Sequence, residues 1–257
     1  MVLGVASCSV FRGEVIDVPD ELPEGFPAQA FDHGSFDALL KEFVGEGDVR
    51  YSDWHRDAES MRALDRYLGA AARFSPDNAP ARFPTDDDKL AYWLNVYNAC
   101  VIKGVLAHWP IESVHDVKGP IELKEGFGFF YRQRFVLGGE EINLYDLEHE
   151  IIRKRFDEPR IHFVLNCASK GCPPLRRDAV TGADLESHLL AVTVAFLVES
   201  VKVDDAEKTV TVSAVFDWYG EDFKPSVAEW LATNYKYERA REYTIKYAEW
   251  DWSLNGR

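Results

Sequence analysis

Between residues 35 and 110 the apolar positions recur at helical spacing. Phe36, Leu39, Leu40, Phe43 and Val44 share one face of a short helix, with Ser35 placed to cap it and Gly45 and Gly47 to stop it. Met61, Leu64, Leu68 and Ala71 form the stripe of a second helix over 53–73, and Pro76 and Pro80 follow it. Thr85 and Asp88 have the spacing of a capping box, in which each side chain satisfies a free backbone donor. They open the run LAYWLNVYNACVIKGVLAHW, which ends at Pro110. Here Trp93, Leu94, Val96, Tyr97, Cys100, Val101, Val105 and Leu106 cover nearly the whole circumference, so the pattern predicts a central, buried helix. Asn95 and Asn98 sit on its apolar face and must find partners, because an unpaired buried amide costs about 1 to 3 kcal/mol.

The pattern then changes period. In FYRQRFVLGGEEINL, Phe135 and Leu137 alternate with polar neighbours around Gly138-Gly139, which reads as a hairpin. Asn143 and Asp146 cap a helix with Leu144, Leu147, Ile151 and Ile152 on its stripe; Glu148 intrudes on that stripe and His149 lies at its edge. After a charged loop at 157–160, IHFVLN reads as a strand buried on both faces that delivers the chain into the loop CASKGCPPL. A helix over 185–198, a strand in KTVTVS, a helix over 227–235 and a strand in EYTIKY complete the chain before the aromatic end EWDWSLN. Helices and strands mix without regular βαβ alternation. The expected fold is α+β, a single domain over 35–257 with its central helix packed on a small mixed or antiparallel sheet.

Composition narrows the function classes. The 44 acidic and 29 basic residues give a net charge of −15, which disfavours a phosphate backbone as partner, so no nucleic acid is expected. No apolar run approaches the roughly 18 residues of a membrane span. Residues 1–34, rich in proline and acids after Ser9, read as a tail or tether. Val5-Ala6-Ser7-Cys8 has the small-residue run of a lipoprotein processing site, but the stretch before it is short and has no Lys or Arg. Two readings stay open. Either Cys8 is the lipidated first residue of an exported envelope protein, which would be its means of membrane attachment, or it is an incidental thiol in a ragged tail of a cytoplasmic one.

The segments AYWLNVYNAC, INLYDLEHEIIR, DEPRIHFVLNCASKGCPPL, VFDWYGEDF and YAEWDWSLN, in this order, resemble the domain-of-unknown-function 547 family of bacteria, plants and nematodes. The resemblance runs from about Val49 to Asn255. It implies no settled biochemical activity; many bacterial members carry the marks of export, and some eukaryotic relatives join the domain to other modules. Plant relatives resemble this chain around Glu148-His149 and Cys167 but usually lack the second cysteine, so a role for Cys172 would be less general than one for Cys167.

The chemistry-bearing residues suggest a thiol nucleophile. A free cysteine is only about 3% thiolate at pH 7 and needs a histidine or a helix N-terminus to activate it. Cys167 ends the expected strand; Cys172 precedes Pro173 and could cap a helix whose dipole would lower its pKa. Strand alternation would put His162 and Asn166 on the face opposite Cys167, leaving His149 as its partner. His149 before Cys167 in the chain suits a permuted papain-like arrangement by analogy alone. The expectation is a cysteine-dependent hydrolase or acyl transferase acting on an amide or thioester. In it Cys167 or Cys172 attacks, His149 takes the proton, and Glu148 or Asn98 orients or polarises. Asn95, Asn98, His162, Asn166, Arg160 and Ser169 are candidate binding residues for an unidentified small-molecule or peptide ligand.

Structural alternatives accompany each assignment. Glu148 and His149 could brace their helix against Arg153 or Arg160, His162 could be a satisfied core histidine, and Cys100 is a small core residue. Cys167 and Cys172, five residues apart, could close a local disulfide in an oxidising compartment and silence the nucleophile. His162, Cys167 and Cys172 match no zinc-finger spacing, and the GxGxxG, P-loop and GxSxG patterns are absent, so neither metal nor cofactor is expected. A different class stays open, a non-catalytic binding module for peptide or glycan. Its groove would be lined by Trp218, Tyr219, Trp250 and Trp252, interleaved with Asp217, Asp222 and Asp251, with Cys167 and Cys172 structural.

Overall fold

A computed structural model of the chain describes residues 13–119 and 126–257; Cys8 lies outside them. Strand β1 (Glu14–Val15) is followed by helices α1 (Gly34–Phe43), α2 (Tyr51–Arg56), α3 (Ala58–Arg73) and α4 (Asp86–Ala107). The hairpin β2 (Gln133–Leu137) and β3 (Glu140–Asn143) leads into a helix over 144–155. That helix is α-helical at α5 (Leu144–Asp146), π-helical at Leu147–Ile152 and α-helical again at α6 (Arg153–Arg155). Then come α7 (Leu185–Ser200), β4 (Lys202–Asp204), β5 (Thr209–Val212), the short α8 (Val215–Trp218), α9 (Val227–Tyr235) and β6 (Thr244–Tyr247). The fold is α+β, a single domain around a buried helix, with two three-stranded mixed sheets where one was expected. β2 pairs parallel with β1 and antiparallel with β3, while β5 pairs antiparallel with β4 and parallel with β6.

Local signals explain most boundaries. Thr85 and Asp88 form the expected capping box, and α4 is buried from Leu90 to Leu106. It is long and apolar enough to cross a membrane, yet 94% of its most apolar window is covered by the rest of the fold, as befits a core helix. Gly138 and Gly139 take φ of +59° and +92°, the left-handed values that close the hairpin. Asn143 accepts a hydrogen bond from the Asp146 backbone, capping the helix that carries Glu148.

Three local expectations are corrected. The helix over 53–73 is two helices, because Asp57 takes an extended conformation and its carboxylate caps α3 through Glu59 and Ser60. Ser35 does not cap α1; His33 occupies the N-cap position, and the Ser35 hydroxyl is buried without a partner among the described residues. IHFVLN is not a strand. Pro159–Phe163 is a 3₁₀ turn started by the Glu158 carboxylate, which accepts from the Arg160 backbone. The segment is apolar because it crosses the interior, and a short buried run does not tell strand from helix.

Two apolar clusters make the core. The larger surrounds α4; the smaller, built on Phe163, Phe196, Phe216, Phe223 and Trp230, fills the C-terminal third, and α7 contributes to both. At the edge of the larger cluster His33 Nδ1 and the Tyr67 hydroxyl share a hydrogen bond of 2.8 Å. Burial pushes the His33 pKa down to about 4, against a smaller upward pull from Asp88. A lowered histidine pKa makes the unfolded chain the better proton binder, so the stability is fully present above about pH 6.5 and is lost as pH falls toward 4. At about 1.4 kcal/mol per pKa unit the full effect is about 3 kcal/mol, and with the ring keeping some solvent contact about 2 kcal/mol is expected. Urea denaturation of the wild type and His33→Gln at pH 7.5 and pH 4 checks this. Equal losses in the two proteins would refute it.

Candidate functional site

A cavity of about 460 Å³ opens where the two clusters meet. Tyr97 and Leu165 reach it from the larger cluster and Val215 from the smaller. Nine of the residues singled out from sequence line it: Glu148, His149, His162, Cys167 and Cys172 of the catalytic reading, and Trp218, Tyr219, Trp250 and Trp252 of the binding-groove reading.

The cysteine loop is held from behind by three asparagines. Asn98 on α4 accepts from the Asn166 backbone at 2.9 Å and donates to the Val164 carbonyl at 3.0 Å. Asn166 accepts from the Ala168 backbone at 2.8 Å and donates to the Pro173 carbonyl at 2.9 Å, tying the loop's two ends together. The first of these bonds closes a tight turn around Ala168, whose φ of +60° is unusual for a residue with a side chain. Asn255 donates its amide to Asn166 Oδ1 and its backbone N–H to the Ala168 carbonyl, each at 3.0 Å. Lys170 and Gly171 donate to the carbonyls of Ser253 and Asp251. A side chain at Gly171 would meet the Trp250 ring at 2.6 Å, so the glycine lets that indole close on the loop.

Within this frame Cys167 and Cys172 form a disulfide, with Cα atoms 6.4 Å apart. The Cys167 backbone donates to Cys172 Sγ at 3.0 Å. Ser169 Oγ lies 3.1 Å from Cys167 Sγ and accepts from Trp250 Nε1 at 2.9 Å; since a disulfide sulfur has no proton, the hydroxyl donates to it. Cys172 is 8% exposed and Cys167 is the more open of the two. No helix begins at Cys172, so the expected dipole effect on that thiol is absent. The expected separation of His162 from Cys167 fails with the strand that implied it: both line the one cavity.

Facing the loop is the helix over 144–155. Glu148 accepts from the Tyr97 hydroxyl at 3.2 Å, and Tyr219 lines the cavity beside it. Burial raises both phenol pKa values well above the usual range, with the Glu148 charge adding to it, so both stay protonated. His149 Nδ1 donates to the Tyr145 carbonyl at 3.2 Å, which fixes the tautomer and leaves the lone pair on Nε2. Its ring lies at 4.0 Å on Tyr145, which lies at 4.3 Å on Tyr131. Burial lowers the His149 pKa, opposed by Glu148 and assisted by Arg153. The imidazole is thus neutral at pH 7 and able to accept a proton.

His162 is more enclosed. Its ring stacks on Tyr219 at 3.9 Å, and Nε2 donates to Asp222 Oδ2 at 2.7 Å. Arg153 grips both oxygens of Asp222, at 2.7 and 3.0 Å. Burial works to raise the Asp222 pKa, but the bonds from His162 and Arg153 outweigh it and hold the carboxyl well below its usual range. His162 therefore supports the Tyr219 ring in the cavity wall.

The other sequence candidates are engaged elsewhere. Asn95 exchanges two hydrogen bonds with the Val180 backbone, and Arg160 pairs with Glu158 and Glu186. Asn98, Asn166 and Ser169 stand behind the cavity wall. Cys100 is buried in the core. Tyr97, Phe130, Tyr131 and Tyr145 line the cavity and were not singled out as site residues. The aromatic run FGFFYR and the i, i+4 pairing of Tyr145 with His149 were the available signals. Trp218, Trp250 and Trp252 meet at the mouth, with Trp218 at 4.7 Å from Trp250 and 5.8 Å from Trp252, and with Trp218 45% exposed.

Residues 81–197 match the family described as "Protein of unknown function, DUF547". The chain carries a DUF547 domain. The matched DUF547 segment supplies the central helix, the hairpin, Glu148-His149 and the disulfide loop, while Trp218, Tyr219, Asp222, Trp250 and Trp252 lie beyond it. No curated protein and no solved structure matches the chain.

Proposed function

We propose that this DUF547 cavity is the site of a cysteine-dependent hydrolase or acyl transferase acting on an amide or thioester. One observation supports it above the others: Cys167, the more open cysteine, shares a cavity with a neutral, tautomer-fixed His149 beside Glu148. The chemistry requires the reduced pair. An external dithiol gives two electrons to the disulfide and leaves two thiols. His149 Nε2 takes the Cys167 proton, and the thiolate attacks the carbonyl carbon. The C–N or C–S bond breaks as the leaving group regains that proton, leaving a thioester on Cys167 for water or a second nucleophile. A closed bond suits a compartment outside the reducing cytosol, such as the cell envelope.

The test is iodoacetamide labelling of the reduced protein between pH 5 and 9. Wild-type Cys167 should alkylate at pH 7 about tenfold faster than in His149→Ala, because activation turns a few per cent thiolate into a majority. Equal rates would overturn the reading. The second reading is a non-catalytic binding cleft braced by the disulfide, and the exposed Trp218, packed against Trp250 and Trp252 at the mouth, favours it. It predicts equal labelling rates together with ligand binding that survives Cys167→Ser.

A further inference from the structure

The charges and rings lining the cavity do not match. Among the described residues, eight of its side chains are aromatic, its one carboxylate is Glu148, and no Lys or Arg lines it. Glu148 is 8% exposed, and the phenol of Tyr97 donates to it, a neutral partner that leaves its charge uncancelled. Arg153, whose guanidinium lies 5.0 Å from the centre of the Tyr219 ring, is committed to Asp222 and Glu221. His149 brings no compensating charge at neutral pH. A buried anion ringed by aromatic side chains is the environment in which an organic cation is held, by attraction to the carboxylate and to the negative faces of the rings. The same lining disfavours an anion, which would meet Glu148 with no positive group to offset it.

We propose that the cavity binds a positively charged alkylammonium group, with Glu148 as counter-ion and the tryptophan cluster of Trp218, Trp250 and Trp252 as its apolar wall. The inference rests on the reading of this cavity as the functional site and names the kind of ligand it takes. It is independent of whether the cysteines react.

The test is a fluorescence titration of the full chain, kept oxidised so that no thiol chemistry occurs, with choline and with its neutral carbon isostere 3,3-dimethylbutan-1-ol. Tryptophan emission should change saturably with choline at millimolar concentrations, and the isostere should bind at least tenfold more weakly. Glu148→Gln should lose most of the choline affinity and keep that for the isostere. Trp218→Ala, at an exposed position where folding is not at risk, should weaken choline severalfold. Equal binding of choline and isostere by the wild type would overturn the proposal, as would the absence of saturation by choline up to tens of millimolar. A failed titration leaves the labelling experiment standing, and a failed labelling experiment leaves the titration standing.

Discussion

Replacing Asn166 by alanine will lower the stability of the protein by about 4 kcal/mol and release the cysteine loop from its frame. The side chain is 4% exposed and makes three hydrogen bonds, to the Ala168 N–H, the Pro173 carbonyl and the Asn255 amide. Alanine leaves all three partners short of a bond in the interior, where each unsatisfied group costs about 1 to 3 kcal/mol and water recovers only part. It also removes the bond that steadies the left-handed turn at Ala168. Urea denaturation gives the number, and a loss below about 1 kcal/mol would show that the loop is held by other means. The disulfide should become more accessible to added dithiol in the same variant, because the Asn166 bond to Pro173 holds the two cysteine-bearing arms together.

The second large effect lies on the opposite side of α4. Lys103 Nζ meets Asp65 Oδ1 at 2.5 Å, with the two side chains 11% and 19% exposed. Removing one member of such a pair strands the other charge in a poorly solvated place, whereas removing both costs little if the space is refilled. Asp65→Ala should therefore destabilise by about 3 kcal/mol. The double variant Asp65→Leu with Lys103→Met should recover most of that, and a strictly additive pair would argue that the two charges do not depend on one another. Neither Asp65 nor Lys103 lines the cavity, so choline binding should be unchanged where the variants remain folded.

Features of this fold set by neighbours in sequence were legible in the chain. The capping box at Thr85 and Asp88, the Gly138-Gly139 turn and the Asn143 cap each involve residues within three or four positions of one another, and each forms as expected. The apolar circumference of α4 likewise declared its burial. What sequence could not supply was set at long range or by subtle local balance. IHFVLN has the composition of a strand, yet its first half lies in the 3₁₀ turn Pro159–Phe163 capped by the Glu158 carboxylate, and among the described residues no strand pairs with it. The π-helical turn at Leu147–Ile152 that carries Glu148 and His149 has no sequence signal in this chain.

The site divides in the same way. Glu148, His149 and the cysteines stood out because polar or reactive groups interrupt apolar surroundings. Asn98 and Asn166 stood out for the same reason and prove to hold the loop from behind the cavity wall. Trp218, Tyr219, Trp250 and Trp252 stood out as a possible groove lining, whereas Tyr97, Phe130, Tyr131 and Tyr145 did not, and only the folded chain shows that they face the same space. The pairing of His162 with Asp222 spans 60 positions, and no local rule foretells it.

The bond between Asn255 and Asn166 spans 89 residues, and the one between Asn255 and Tyr51 spans 204. A nascent chain exposes the cysteines well before it exposes the residue that completes their frame. At about 5 to 20 residues per second, Asn255 follows Asn166 from the ribosome by roughly 4 to 18 seconds. During that interval the two thiols sit in an unfinished loop, open to wrong partners or to an oxidase. The order of synthesis thus gives this protein a window in which a folding helper that shields or pairs cysteines would have its greatest effect on yield.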